Sequence, residues 1–112
     1  MNIFALSSGS GTSGIAVIRV SGPDTAKIIK LLTNKENLKP RVATLRKINN
    51  TNTSELIDEG IIIWFPGPES YTGEDMAEIH VHGGKAVILA VQKEISKNKG
   101  CRLAEPGEFT KI

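Results

Sequence analysis

Apolar residues recur along this chain with two periods, one near two and one near 3.6. IAVIRV (15–20) is a continuous β-branched run and predicts a buried strand. RVATLRKI (41–48) alternates apolar and polar positions, as a half-exposed strand does, and LIDEGIIIWF (56–65) returns after the polar turn NNTNTSE (49–55). These two runs predict a hairpin. EDMAEIHVH (74–82) alternates again and reads as a further strand, while IFAL (3–6) and CRLA (101–104) are short runs fit for an edge or interface strand and a closing strand.

The longer period marks two helices. In DTAKIIKLL (24–32), Ile28, Ile29 and Leu32 share one face and Lys27 and Lys30 turn outward, with SGPD (21–24) turning the chain into it. KAVILAVQKEISKN (85–98) is apolar at Ala86, Val87, Leu89, Ala90 and Val91 and charged toward its end, and Gly100 stops it. The predicted order is strand, strand, helix, strand, strand, strand, helix, strand. It implies an α+β fold with helices packed on one side of a mixed sheet.

At 112 residues the chain suits one domain with one core, over 1–112. Its 39% hydrophobic and 23% charged content is that of an ordinary globular protein. A formal net charge of +2 with no block of Lys and Arg gives no electrostatic stripe for nucleic acid. The lone Cys101 excludes an internal disulfide, suits a reducing cytoplasm, and is expected to pack rather than react. The apolar runs fall short of the roughly 18 residues that cross a bilayer, and MNIFALSSGS lacks the basic start of a signal peptide. The end at PGEFTKI, just after a turn, is expected of an excised piece of a longer protein.

Three stretches carry candidate chemistry. SSGSGTSG (7–14) contains a literal G-x-G-x-x-G, but a strand follows instead of a helix and no Gly-Lys-Ser/Thr is present, so the expectation is a mobile loop. His80-x-His82 places two imidazoles on one strand face with Glu78, short of the three or four certain ligands that zinc needs. The third is the pair Arg19 and Glu78, charges set among apolar strand neighbours. Alternation groups Met76, Glu78, His80 and His82 on one face, and Arg19 with Ile15 and Val17. Such charges form a structural ion pair, reach water at a strand end, or meet a ligand. The ligand that a carboxylate would select is a flat heterocycle bearing an amino group, held by two parallel N–H bonds. No Ser-His-Asp type of nucleophile and base can be assembled.

IRVSGP (18–23), DEGIIIWFPGPESYTGEDMAEIHVHGG (58–84) and RLAEPGEFT (102–110) are similar to the N-terminal domain of the MnmE/TrmE family of bacterial tRNA-modification GTPases. The resemblance covers nearly the whole chain, and its most specific element is the FPGP-x-S-[FY]-T-G-E-D run followed by Glu, HGG and PGEFT. It implies a fold like the tetrahydrofolate-binding domain of aminomethyltransferases. It further implies binding of 5-formyltetrahydrofolate or 5,10-methylenetetrahydrofolate, a homodimer formed through this domain, and a cytoplasmic protein. In the full-length family, helical and GTPase domains that this chain does not contain bring GTP, magnesium and potassium. Together with MnmG they modify the wobble uridine of tRNA at carbon 5. Family folate contacts carry over to Arg19 of IRVSG and Glu78 of DMAEI; others lie beyond Ile112. Many members have a Pro-Pro-Gly-type loop where this chain has SSGSGTSG, which puts the geometry of that loop in question. Two other readings stand beside this one: a dimerisation scaffold that binds no folate in isolation, and an aminomethyltransferase-like fragment.

Overall fold

A computed structural model describes residues 1–8, 14–35 and 38–110. The elements run β1 (Asn2–Ser8), β2 (Ile15–Ser21), α1 (Thr25–Thr33), β3 (Thr44–Asn49), β4 (Leu56–Phe65), β5 (Met76–His82), α2 (Lys85–Ser96) and β6 (Cys101–Leu103), followed by a 3-10 turn over Glu108–Thr110. The strands form one six-stranded sheet in the order β3-β4-β5-β2-β1-β6. All neighbours are antiparallel except β1 and β6, so the sheet is mixed and the fold is α+β. No helix among the described residues is long and apolar enough to cross a membrane.

One face of the sheet supplies the core. Phe4, Ala16, Ile18, Val20, Ile62, Ala77, Ile79 and Val81 join Ile28, Ile29 and Leu32 of α1 and Ile88, Val91 and Ile95 of α2 in a single buried cluster. Alternation therefore sends the other residues of β2 and β5 to the opposite face, which no helix covers. Their burial patterns show it: Val17 and Arg19 are half-buried between buried neighbours, as are Glu78 and His80. This open face carries the site.

Several sequence expectations are refined. Of the two places expected for the run 3–6, edge or interface, the edge is excluded: β1 lies between β2 and β6, and the edges are β3 and β6. In α2, the buried stripe is Ile88, Val91, Glu94 and Ile95, whereas Ala86 and Leu89 are exposed. KAVILAV is apolar all round the helix, so composition cannot choose the buried arc, and docking onto the sheet does. The strand expected over 41–48 begins only at Thr44, and the one expected over 74–82 begins at Met76. Residues 9–13 of the SSGSGTSG stretch lie outside the described residues, while Ser7 and Ser8 belong to β1.

Glu94 is the one charged residue of the buried stripe, 2% exposed. Its Oε1 accepts from Thr51 N at 2.8 Å and Thr51 Oγ1 at 2.9 Å, and its Oε2 from Lys97 Nζ at 2.7 Å. It ties α2 to the β3–β4 turn. Burial penalises the carboxylate, but the Lys97 and Thr51 hydrogen bonds outweigh that and hold its pKa below the ordinary value. A depressed pKa in the fold gives stability that is present above the unfolded-state value and lost as pH falls through the folded one. Glu94→Ala is therefore expected to cost about 2 kcal/mol at neutral pH. In urea titrations the gap between wild type and variant should shrink as pH drops through the acidic range below about 4.3. A gap that stays constant with pH would show that the charge contributes nothing.

Candidate functional site on the open sheet face

The register sets the site. Arg19 of β2 stands directly opposite Glu78 of β5, and the same row continues to Ala5 on β1 and Ile63 on β4. The next row holds Val17, His80 and Ile61. Arg19 Nε donates to Glu78 Oε2 at 3.2 Å, and His80 Nε2 lies 3.0 Å from Glu78 Oε1. Both carboxylate oxygens are thus engaged from the sides, and each retains a further lone pair directed away from its partner. The side chain of Glu78 is 17% exposed and that of Arg19 is 32% exposed.

Arg19 has donors to spare. Its guanidinium lies 5.3 Å from the centre of the Tyr71 ring, a cation–π contact, and only Nε is used in a hydrogen bond among the described residues. Both terminal nitrogens therefore present N–H groups beside a carboxylate, among half-buried apolar strand residues. Around them, Ile61, Ile63 and Phe65 are half-buried, and Ile15, Leu45 and Tyr71 are 62%, 57% and 56% exposed.

The PGPESYTG loop closes one end of this face. Ser21 Oγ and Thr72 Oγ1 are 2.7 Å apart in a buried contact, and Thr72 sits over the row that pairs Ser21, Met76 and Phe65. This covering leaves Met76 only 2% exposed, although alternation alone groups it with Glu78. Asp75 organises the loop: its Oδ1 accepts from Gly67 N at 2.9 Å, and its carbonyl accepts from Gly22 N at 2.9 Å and Thr25 Oγ1 at 3.1 Å. Gly67 is required by close approach, since a Cβ there would lie 2.8 Å from the Glu74 carbonyl carbon. The peptide bond from Gly67 to Pro68 is cis.

The histidines do not converge on a metal site. His80 is committed to Glu78, while His82 lies one row further along and pairs with Asp58. Asp58 Oδ2 accepts the His82 backbone N–H at 2.9 Å, and Oδ1 lies 2.9 Å from Nδ1. Burial disfavours the Asp58 charge, but the hydrogen bonds from His82 and the Glu59 backbone outweigh it and lower the pKa. Among the described residues, no three of His, Cys, Asp and Glu gather as ligands. Cys101 is half-buried against the core, and burial together with the nearby Asp24 charge raises its thiol pKa, away from a reactive thiolate.

Sequence reasoning paired Arg19 with Glu78, and the structure joins them in the ion pair that was one of the alternatives. It missed His80 as the second partner of Glu78, Tyr71 over Arg19, and the Asp58–His82 pair. His80 was legible from alternation, being two residues from Glu78 on one face. The Tyr71 and Asp58 contacts depend on loop path and strand register, which the sequence pattern does not fix.

The family described as GTP-binding protein TrmE N-terminus matches residues 2–112. A tRNA modification GTPase MnmE from Pelagibacter ubique is 72% identical over 112 residues, all of this chain and 25% of that protein. The mitochondrial 5-taurinomethyluridine-[tRNA] synthase subunit GTPB3 of Danio rerio is 50% identical over 109 residues, 97% of this chain and 22% of its own length. Its Homo sapiens counterpart is 48% identical over 110 residues, with the same coverage of 97% and 22%. The chain thus spans about a quarter of the length of these relatives, and it belongs to the TrmE N-terminal domain family of tRNA-modification GTPases.

Proposed function

We infer that this chain is the folate-binding and homodimerisation domain of a GTPase that modifies the wobble uridine of tRNA at carbon 5. The observation that carries the reading is the Arg19–Glu78 pair on the open face: a clamped carboxylate beside unspent guanidinium donors, framed by apolar strand residues. The donor set fits a reduced folate. Glu78 would accept from the amino-bearing edge of the pterin, Arg19 would donate to a carbonyl or carboxylate of the same molecule, and the apolar rows would receive its flat ring. When bound, the folate supplies a one-carbon unit; the residues of this chain bind and orient it. His80 positions Glu78 by holding one of its oxygens.

Homodimerisation rests on the same face. Ile15, Leu45 and Tyr71 are large, exposed and adjacent to half-buried apolar strand positions, a pattern that marks an interaction surface. A second copy laid over it would enclose the ligand and exclude water. GTP, magnesium, potassium, MnmG and the tRNA substrate would engage other parts of the full-length protein, in the cytoplasm.

Isothermal titration of 5-formyltetrahydrofolate into wild type and Glu78→Ala tests the reading. Wild type should bind saturably, and the variant should bind at least about tenfold more weakly, as expected from losing a charge-assisted pair of hydrogen bonds. Equal affinity would remove Glu78 from the site. A dimer in sedimentation equilibrium without folate heat at millimolar ligand would favour the scaffold reading instead.

A further inference from the structure

The reverse side of the sheet carries a second concavity, of about 590 Å³. Ile29 of α1, Leu38 and Trp64 of β4 line it. Lys27, Lys30 and Lys35 stand round it. Alternation along β4 separates it from the candidate site: Trp64 pairs with Ala77 on the helix side, whereas Ile63 pairs with Glu78 on the open side.

The groove is built by local constraints. The αL residue Asn34 (φ 56) ends α1 and donates its N–H to Lys30 O, and Thr33 Oγ1 bonds to Ile29 O at 2.8 Å. These contacts set where Lys35 leaves the helix. The chain then returns along β4, with Pro40 bridged to Trp64 and Arg41 N donating to Trp64 O at 2.8 Å. Lys27 and Lys35 have no acidic partner among the described residues.

Two ammonium groups without an acidic partner among the described residues, in a groove also lined by an indole and apolar side chains, suit an anionic ligand with a flat ring. The volume lies within the roughly 300–1,000 Å³ range of small-ligand sites. We propose that this groove binds a nucleotide of single-stranded RNA, its base against Trp64 and its phosphates on Lys27 and Lys35. The choice of RNA over an acidic protein rests on the reading of the chain as part of a tRNA-modifying enzyme, and on chemistry: a base uses the indole and its phosphates use the lysines, whereas an acidic peptide uses only the charges. The site is independent of Glu78, which lies on the opposite face.

Trp64 is the only tryptophan, so its fluorescence reports directly on the groove. Titration with single-stranded oligouridylate should quench Trp64 saturably, with a salt slope of about −1.4 for two phosphate contacts to a single strand. The double variant Lys27→Gln/Lys35→Gln should weaken binding about tenfold or more and flatten that slope. Both lysines are exposed, and an unchanged thermal melt confirms that the variant folds. Glu78→Ala should bind the RNA as wild type does, so loss of folate binding and loss of RNA binding are separable. The proposal is overturned if oligouridylate gives no saturable quench, if the lysine variant binds equally, or if poly-L-glutamate or duplex RNA competes equally well.

Discussion

Gly60→Ala is expected to lower the stability of the domain by about 3 kcal/mol. Gly60 lies in β4 beside β5, and a Cβ added there would sit 2.1 Å from the His80 carbonyl oxygen. That atom belongs to a central strand and cannot swing aside like a flexible side chain. The only relief is to part β4 from β5, which strains the ladder pairing Ile61 with His80 and Ile63 with Glu78. A domain holds only about 5–15 kcal/mol in total, so the loss is a large fraction of it. Because the strained strand carries Glu78 and His80, folate affinity should fall as well. Gly84→Ala is the control: a Cβ there meets nothing within 4 Å, and the cost should be about 1 kcal/mol or less. Thermal and urea unfolding of the two variants checks the contrast, and similar losses would refute the steric account.

The second large effect is at Ile79. It is fully buried, at 0% exposure, between Ile18 of β2 and Ile62 of β4 in the register of the sheet. Ile79→Ala should destabilise by about 3–4 kcal/mol, combining lost transfer energy with the cavity left in a close-packed core. Position 79 lies between Glu78 and His80 but points to the helices. At a temperature where the variant remains folded, its folate affinity should therefore stay near that of wild type. Urea unfolding measures the first expectation and calorimetric titration the second. A loss below about 1 kcal/mol would mean that the helices collapse into the vacated space. The site and the core are thus expected to separate by strand face: odd and even positions of one strand carry different consequences.

That separation was legible in the chain. The β-branched run around Arg19 and the alternation through Glu78 specify strands whose odd and even residues have opposite environments, so the two charges had to meet each other, water or a ligand. The turn residues at 49–55 and the Gly pair at 83–84 announce the hairpin and the start of α2, and both stand where expected, with Gly84 as the N-cap. α2 itself was harder: a segment apolar on every side does not say which arc is buried, and the charged Glu94 reads as a surface residue until Thr51 and Lys97 surround it.

Period and residue type are local properties, and they were enough to place the elements in order, to give the α+β class and to single out Arg19 and Glu78. Everything else came from the packing of segments distant in the chain. That packing put β1 inside the sheet through its parallel pairing with β6, contacts almost a hundred residues apart along the chain. It set Arg19 opposite Glu78 rather than one residue away, since register depends on the whole ladder and a slip of one would reverse every face. It brought Tyr71 over Arg19 and Asp58 to His82, and it buried Met76 beneath the loop. These contacts arise where distant segments satisfy one another's polar groups and exclude water together, an outcome that no single stretch of sequence encodes.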